Sequence, residues 1–128
     1  MKKCTMVIVA VLFSFVCANM LYAAADTWTQ KADFGGGERF EAVGFSIGSK
    51  GYIGTGNGEM SYWKDFWEYD PALNTWAQKV DVGLAEFRSA VGFSIGNKGY
   101  IGTGLPGYST FPTNEFWEYD SSMNTWSQ

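Results

Sequence analysis

AVGFSIGSKGYIGTG at residues 42–56 returns as AVGFSIGNKGYIGTG at 90–104, and only Ser49 and Asn97 differ. A repeat with a period near fifty residues means that one supersecondary unit has been copied, so the fold follows from what that unit is. The copying runs past this block. FWEYD at 66–70 recurs at 116–120, and Asn74-Thr75-Trp76 recurs as Asn124-Thr125-Trp126. The first block is offset by 48 residues and the later ones by 50, so the two extra residues lie between them, in 57–65 of one copy and 105–115 of the other. A length change of this kind marks a loop. A partial copy comes earlier, since TWTQKADFGGGE at 27–38 matches TWAQKVDVGLAE at 75–86.

Inside the unit, Val43, Phe45 and Ile47 alternate with Ala42, Gly44 and Ser46. A period of two with bulky and small residues on opposite sides predicts a strand with one face that another sheet can approach closely. Gly48-Ser49-Lys50-Gly51 predicts a four-residue turn, and Tyr52–Gly56 the returning strand. Phe66–Asp70 is aromatic and strand-prone, Asp70–Asn74 carries turn residues, and Thr75–Lys79 makes a fourth strand. Four short antiparallel strands per repeat describe a propeller blade. The expected organisation is all-β. Residues 26–38 form the last strand and connection of a preceding partial repeat, 39–80 one complete four-stranded blade, and 81–128 a second.

These residues also resemble a known family. A hydrophobic strand, glycines closing the second strand at Gly54 and Gly56 (Gly102 and Gly104), and a spaced Tyr69 and Trp76 (Tyr119 and Trp126) are similar to the kelch repeat. The resemblance implies a kelch-type β-propeller segment, with these eight residues as structural repeat positions. It departs from the pattern in two ways. The glycine doublet is split by Thr55 and Thr103, and the arginine before the first strand shifts register, Arg39 aligning with Phe87 and Arg88 with Phe40.

Residues 1–25 read differently. Lys2 and Lys3, the apolar stretch Met6–Val16 and the small residues Ala23–Ala25 are the three parts of a secretory signal peptide. The apolar stretch is shorter than the ~18 residues of a membrane span, which argues against an uncleaved anchor. The expected mature protein is secreted, periplasmic or displayed on a cell surface, with no membrane insertion after cleavage. Both cysteines, Cys4 and Cys17, leave with the leader, and the chain contains no histidine. The remainder holds 7 basic against 13 acidic residues, a net charge of −6. Nucleic acid is therefore not an expected partner, because phosphate recognition rewards clustered Lys and Arg.

Propellers close with about four to eight blades, and a repeat buries its apolar faces only against neighbours. Two blades leave two such faces open. The expectation is a fragment of a larger propeller, with further blades from a longer chain or self-association covering those faces.

Function is then sought where the copies differ. Strands alternate in direction, so the turns after strands two and four share one end of each blade. There 57–65 and 105–115 diverge, and Tyr62, Trp63, Tyr108 and Phe111 are candidate ligand-binding residues, amphipathic or apolar rings suited to stacking on a sugar or anchoring a partner protein. Glu68 with Asp70, and Glu118 with Asp120, read as strand and turn residues rather than metal ligands or a catalytic pair, because they recur at the same place in each copy. Gly35-Gly36-Gly37 lacks the lysine and helix of a phosphate loop. Without histidine a Ser-His-Asp hydrolase is excluded. The resemblance also implies comparison with galactose-oxidase-like copper-radical enzymes and sialic-acid-processing kelch proteins. The first need cysteine and histidine that residues 26–128 lack, and no catalytic set of the second maps onto this chain. The expectation is a non-enzymatic binding module for a protein or glycan, with no catalytic residue, metal or cofactor; the alternative is a purely structural repeat segment of a larger surface protein.

Overall fold

The computed structural model describes residues 26–83 and 86–128. The leader expected at 1–25 lies outside the described residues. The first blade is an antiparallel meander of β1 (Val43–Ile47), β2 (Lys50–Gly54), β3 (Phe66–Asp70) and β4 (Thr75–Lys79), paired in that order. After β5 (Phe87–Arg88), the second blade is built from β6 (Val91–Ile95), β7 (Lys98–Gly102), β9 (Phe116–Asp120) and β10 (Thr125–Ser127) in the same order. The short β8 (Leu105–Pro106) pairs with β5 instead of joining the blade. Register repeats as well: Phe45 lies opposite Tyr52 in one blade and Phe93 opposite Tyr100 in the other.

Three expectations are corrected. The hairpin turn is shorter than four residues, because Ile47 pairs directly with Lys50 and leaves Gly48-Ser49 as the turn. Gly48 sits at φ 58°, and glycine at the first position of a two-residue turn matches the twist of the flanking strands. The second strand ends at Gly54, not Gly56. Thr55 at φ 59° and Gly56 at φ 101° turn the chain out of the sheet, and a side chain at 56 would press on the Phe40 carbonyl. Finally, no strand forms among residues 26–38. Thr27–Lys31 matches β4 at every position but Thr29, which stands for Ala77, yet no strand among the described residues pairs with it. Trp28 is accordingly 99% exposed, while Trp76 and Trp126 are packed.

The core lies between the two blades. Val43, Phe45 and Ile47 of β1, with Tyr52 and Phe66, form the back of the first blade. They press on the front of the second, where Gly92, Gly99, Ile101 and Tyr119 lie. A side chain at Gly92 would come within 2.1 Å of Val43 Cγ1, and one at Gly99 within 2.4 Å of the Phe45 ring. The small face expected from the alternation is thus what lets the blades touch. Val82, on the connection between them, is buried against the same core. Tyr52, Phe66 and Tyr119 meet as rings 4.9 to 5.9 Å apart, Tyr52 stacked on Phe66 and Tyr119 edge-on to both, and such contacts add to the area they bury.

Candidate functional site

The repeated tyrosine, asparagine and tryptophan clamp one blade to the connection that precedes it. The β9 to β10 turn holds Asn124 at φ 54°, a left-handed conformation that asparagine tolerates. Its side-chain oxygen accepts the Val80 N–H at 3.2 Å and the Tyr119 hydroxyl at 2.9 Å, while Trp126 Nε1 donates to the Val80 carbonyl at 3.1 Å. The first blade repeats this around Ala32, with Asn74, Tyr69 and Trp76. Burial pushes the Tyr119 phenol up to about 12, so it remains a hydrogen-bond donor at every physiological pH. Tyr69, Trp76, Tyr119 and Trp126 are therefore interface residues of the scaffold.

The paired acidic residues belong to the scaffold too. Asp70 Oδ1 accepts the N–H groups of Ala72 and Leu73 and closes the β3 to β4 turn, as Asp120 does with Ser122 and Met123. Lys50 bonds Asp70, and Lys98 bonds Asp120 at 2.6 Å. The lysine beside each holds the Asp70 and Asp120 carboxyls below the usual range. Glu68 and Glu118 accept from Tyr52 at 2.6 Å and Tyr100 at 2.8 Å. Burial, and then the Glu68 carboxylate, push the Tyr52 phenol upward. Among the described residues no group of three or more acidic, histidine or cysteine side chains is placed to hold a metal ion.

At the opposite end of the blades from the β1 to β2 turns, the connections converge. Phe40 and Asn57 exchange backbone hydrogen bonds, Gly56 N–H donates to the Phe87 carbonyl at 2.7 Å, and Ser89 N–H donates to the Glu41 carbonyl at 3.2 Å. The β5–β8 pair ties the start of the 105–115 loop to the same end. This brings two of the four candidate ligand residues together. Tyr62 and Tyr108, 46 positions apart, meet edge to face at 4.5 Å, and the Arg88 guanidinium lies 5.6 Å from the Tyr62 ring. Tyr108 is 81% exposed and Phe111 80% exposed. Trp63 is placed otherwise: it is half-buried and stacks 5.2 Å from the Arg39 guanidinium.

Arg39 is the residue that sequence reasoning left without a role. Its guanidinium sits between the Trp63 ring and the Phe34 ring, 4.7 Å from the latter. It grips Asp65 through two bonds of 2.6 and 2.9 Å, donates to the Thr55 carbonyl at 3.1 Å, and also bonds the Gly36 carbonyl. Trp67 Nε1 donates to the same Asp65 at 2.7 Å. The second blade keeps only part of this, with Glu115 accepting from Trp117 at 3.2 Å, because Phe87 stands where Arg39 would. The register shift of the arginine was the available signal. Arg88 instead crosses toward the first blade, 3.6 Å from Glu41, and its guanidinium reaches the Gly107 and Ser109 carbonyls.

An open groove of about 530 Å³ lies alongside, lined by Arg39 and Trp63 together with Glu38, Phe40, Glu59 and Ser61. Two of its lining residues carry buried N–H groups, Arg39 Nε and Trp63 Nε1, with no hydrogen-bond partner among the described residues. The groove thus combines apolar ring surface with carboxylate and hydroxyl groups. Sugar-binding surfaces join the same two kinds of group.

Neither protein-family models nor curated proteins match this chain. Among solved structures it is similar to one described as "Structure of YjhT", with a TM-score of 0.73 at 21% sequence identity over 83% of this chain and 42% of that one. The fold is that of a β-propeller. The chain spans less than half of that neighbour's length.

Proposed function

We propose that the chain is a secreted binding module that takes an extracellular saccharide at the convergent loop end of its blades. The observation that supports this best is the Tyr62–Tyr108 pair. It joins the two loops that the duplication failed to copy, and the chain neighbours of Tyr62, Ser61 and Trp63, line the groove together with Glu38, Phe40 and Glu59. Exposed rings supply faces for the apolar side of a sugar, and the carboxylates and hydroxyl supply acceptors for its OH groups. We also read the chain as a kelch-type repeat, supported by Gly54 and Gly56, Tyr69 and Trp76, and their copies. Its export rests on the leader pattern of residues 1–25.

A glycan array followed by calorimetric titration of any hit tests the proposal. Tyr108→Ala removes an exposed ring without opening the core, and loss of one stacking contact weakens binding by about fivefold or more. An array without hits, or unchanged affinity in the variant, overturns the saccharide reading. A protein ligand is the second reading, favoured by Tyr108 and Phe111 on one loop, because exposed rings on a loop anchor protein partners.

A further inference from the structure

Chemically identical residues meet opposite fates in the two blades. Val43 is 4% exposed and Phe66 0%, whereas their copies Val91 and Phe116 are 54% and 44% exposed, and Phe93 and Ile95 are uncovered with them. The difference lies in what stands next to each face. The back of the first blade is covered by the glycine-bearing front of the second; among the described residues nothing covers the back of the second. The first blade carries the matching front, with Gly44, Gly51, Ile53, Tyr69 and Trp76 at the positions of Gly92, Gly99, Ile101, Tyr119 and Trp126. A side chain at Gly51 would meet only Tyr69 Cβ, at 3.7 Å, so that front is open where Gly99 is filled by Phe45.

We propose that the back of the second blade docks the front of the first blade in another copy of this chain, head to tail. The occupant is named by continuity with the interface inside the chain. Every residue named above on the buried back face is identical in its exposed copy, and every one on the front is identical too; the change is on the connection, where Phe34 replaces Val82. The fit needs glycine on the incoming sheet, since the intrachain approach leaves no room for a Cβ opposite Val43 and Phe45. An arbitrary apolar partner does not supply that. The contact is heterologous, so copies add with one rotation until the ring closes. A ring of about four to eight blades takes about two to four copies.

The test is the mass in solution of the full chain, in the processed form that expression yields, by sedimentation velocity and light scattering. The wild type is expected to show a concentration-dependent species at least twice the monomer mass. Phe93→Asp blocks the back face, Gly51→Val blocks the front, and each alone is expected to be monomeric. Mixed, they retain one free back and one free front, and are expected to form a 1:1 dimer and nothing larger. This complementation also controls for folding, because an unfolded variant cannot complete the pair. A wild type that stays monomeric overturns the proposal. So does an assembly that survives Gly51→Val, which would mean back-to-back pairing or cover from residues 1–25, and so does an assembling wild type whose two variants fail to complement.

Discussion

Alanine at Gly92 and alanine at Gly44 are the same chemical change at the same repeat position, and the structure gives them opposite signs. At Gly92 the new Cβ falls 2.1 Å from Val43 Cγ1, 3.2 Å from the Phe45 ring and 3.3 Å from the Tyr100 carbonyl. Val43 is buried and β-branched, so it has few rotamers in which to retreat, and the blades must separate slightly. Overpacking of this kind costs about 1–3 kcal/mol, against which alanine recovers about 0.5–1 kcal/mol of the backbone entropy that glycine loses in a strand. The net loss is about 1–2 kcal/mol. At Gly44 the nearest atoms are the Tyr52 carbonyl at 3.5 Å and Ile53 Cγ1 at 3.8 Å, ordinary contacts, so only the entropic gain of about 0.5 kcal/mol remains. Urea unfolding followed by tryptophan fluorescence, at a dilution where the chain is monomeric, measures both. With a slope of about 1.5 kcal/mol per molar, Gly92→Ala lowers the midpoint by about 1 M and Gly44→Ala raises it by about 0.3 M. Equal shifts of the two variants, or a Gly92→Ala midpoint at or above wild type, would refute the claim that the glycine face is the blade contact.

Two further outcomes follow from the clamp and the ion pairs. Asn124→Gly keeps the left-handed backbone but removes the acceptor shared by Val80 N–H and Tyr119 hydroxyl; it is expected to cost about 1–3 kcal/mol and to speed hydrogen exchange at Val80, which amide NMR reads. The carboxyls of Asp70, Asp120 and Glu118 are held low in the fold, by Lys50, by Lys98, and by Tyr100 with Lys98. The unfolded chain therefore takes up protons first, near pH 4, and the stability these groups contribute is complete above that pH and fades as pH falls toward their folded values. The urea midpoint is expected to fall from pH 5 to pH 2, and Lys98→Met to flatten that fall; an unchanged slope would show that the pairs do not contribute.

Much of the scaffold was legible because its causes are local. The alternation in AVGFSIG, the glycines of the turn and the aromatic FWEYD strand each act within a few residues, and they appear in the structure as β1, β2 and β3. The failures are non-local. Thr27–Lys31 differs from β4 only in Thr29 for Ala77 and forms no strand, since pairing depends on a neighbour and not on propensity. The roles of Asn74 and Asn124 were hidden because their partners, Ala32 and Val80, lie 42 and 44 positions away. The candidate site divides in the same way. Divergence between the copies pointed to 57–65 and 105–115, but the pairing of Tyr62 with Tyr108 and the seating of Trp63 on Arg39 depend on how the loops fold over the blade ends.

The sequence by itself determined the repeated unit, its strand order and the existence of one bulky and one glycine-bearing face, because periodicity and turn chemistry are properties of short stretches. Only the tertiary structure decided which copy of each face is covered. Val43 and Val91 are the same residue in the same local sequence, and burial is a property of the neighbour, which no local pattern contains.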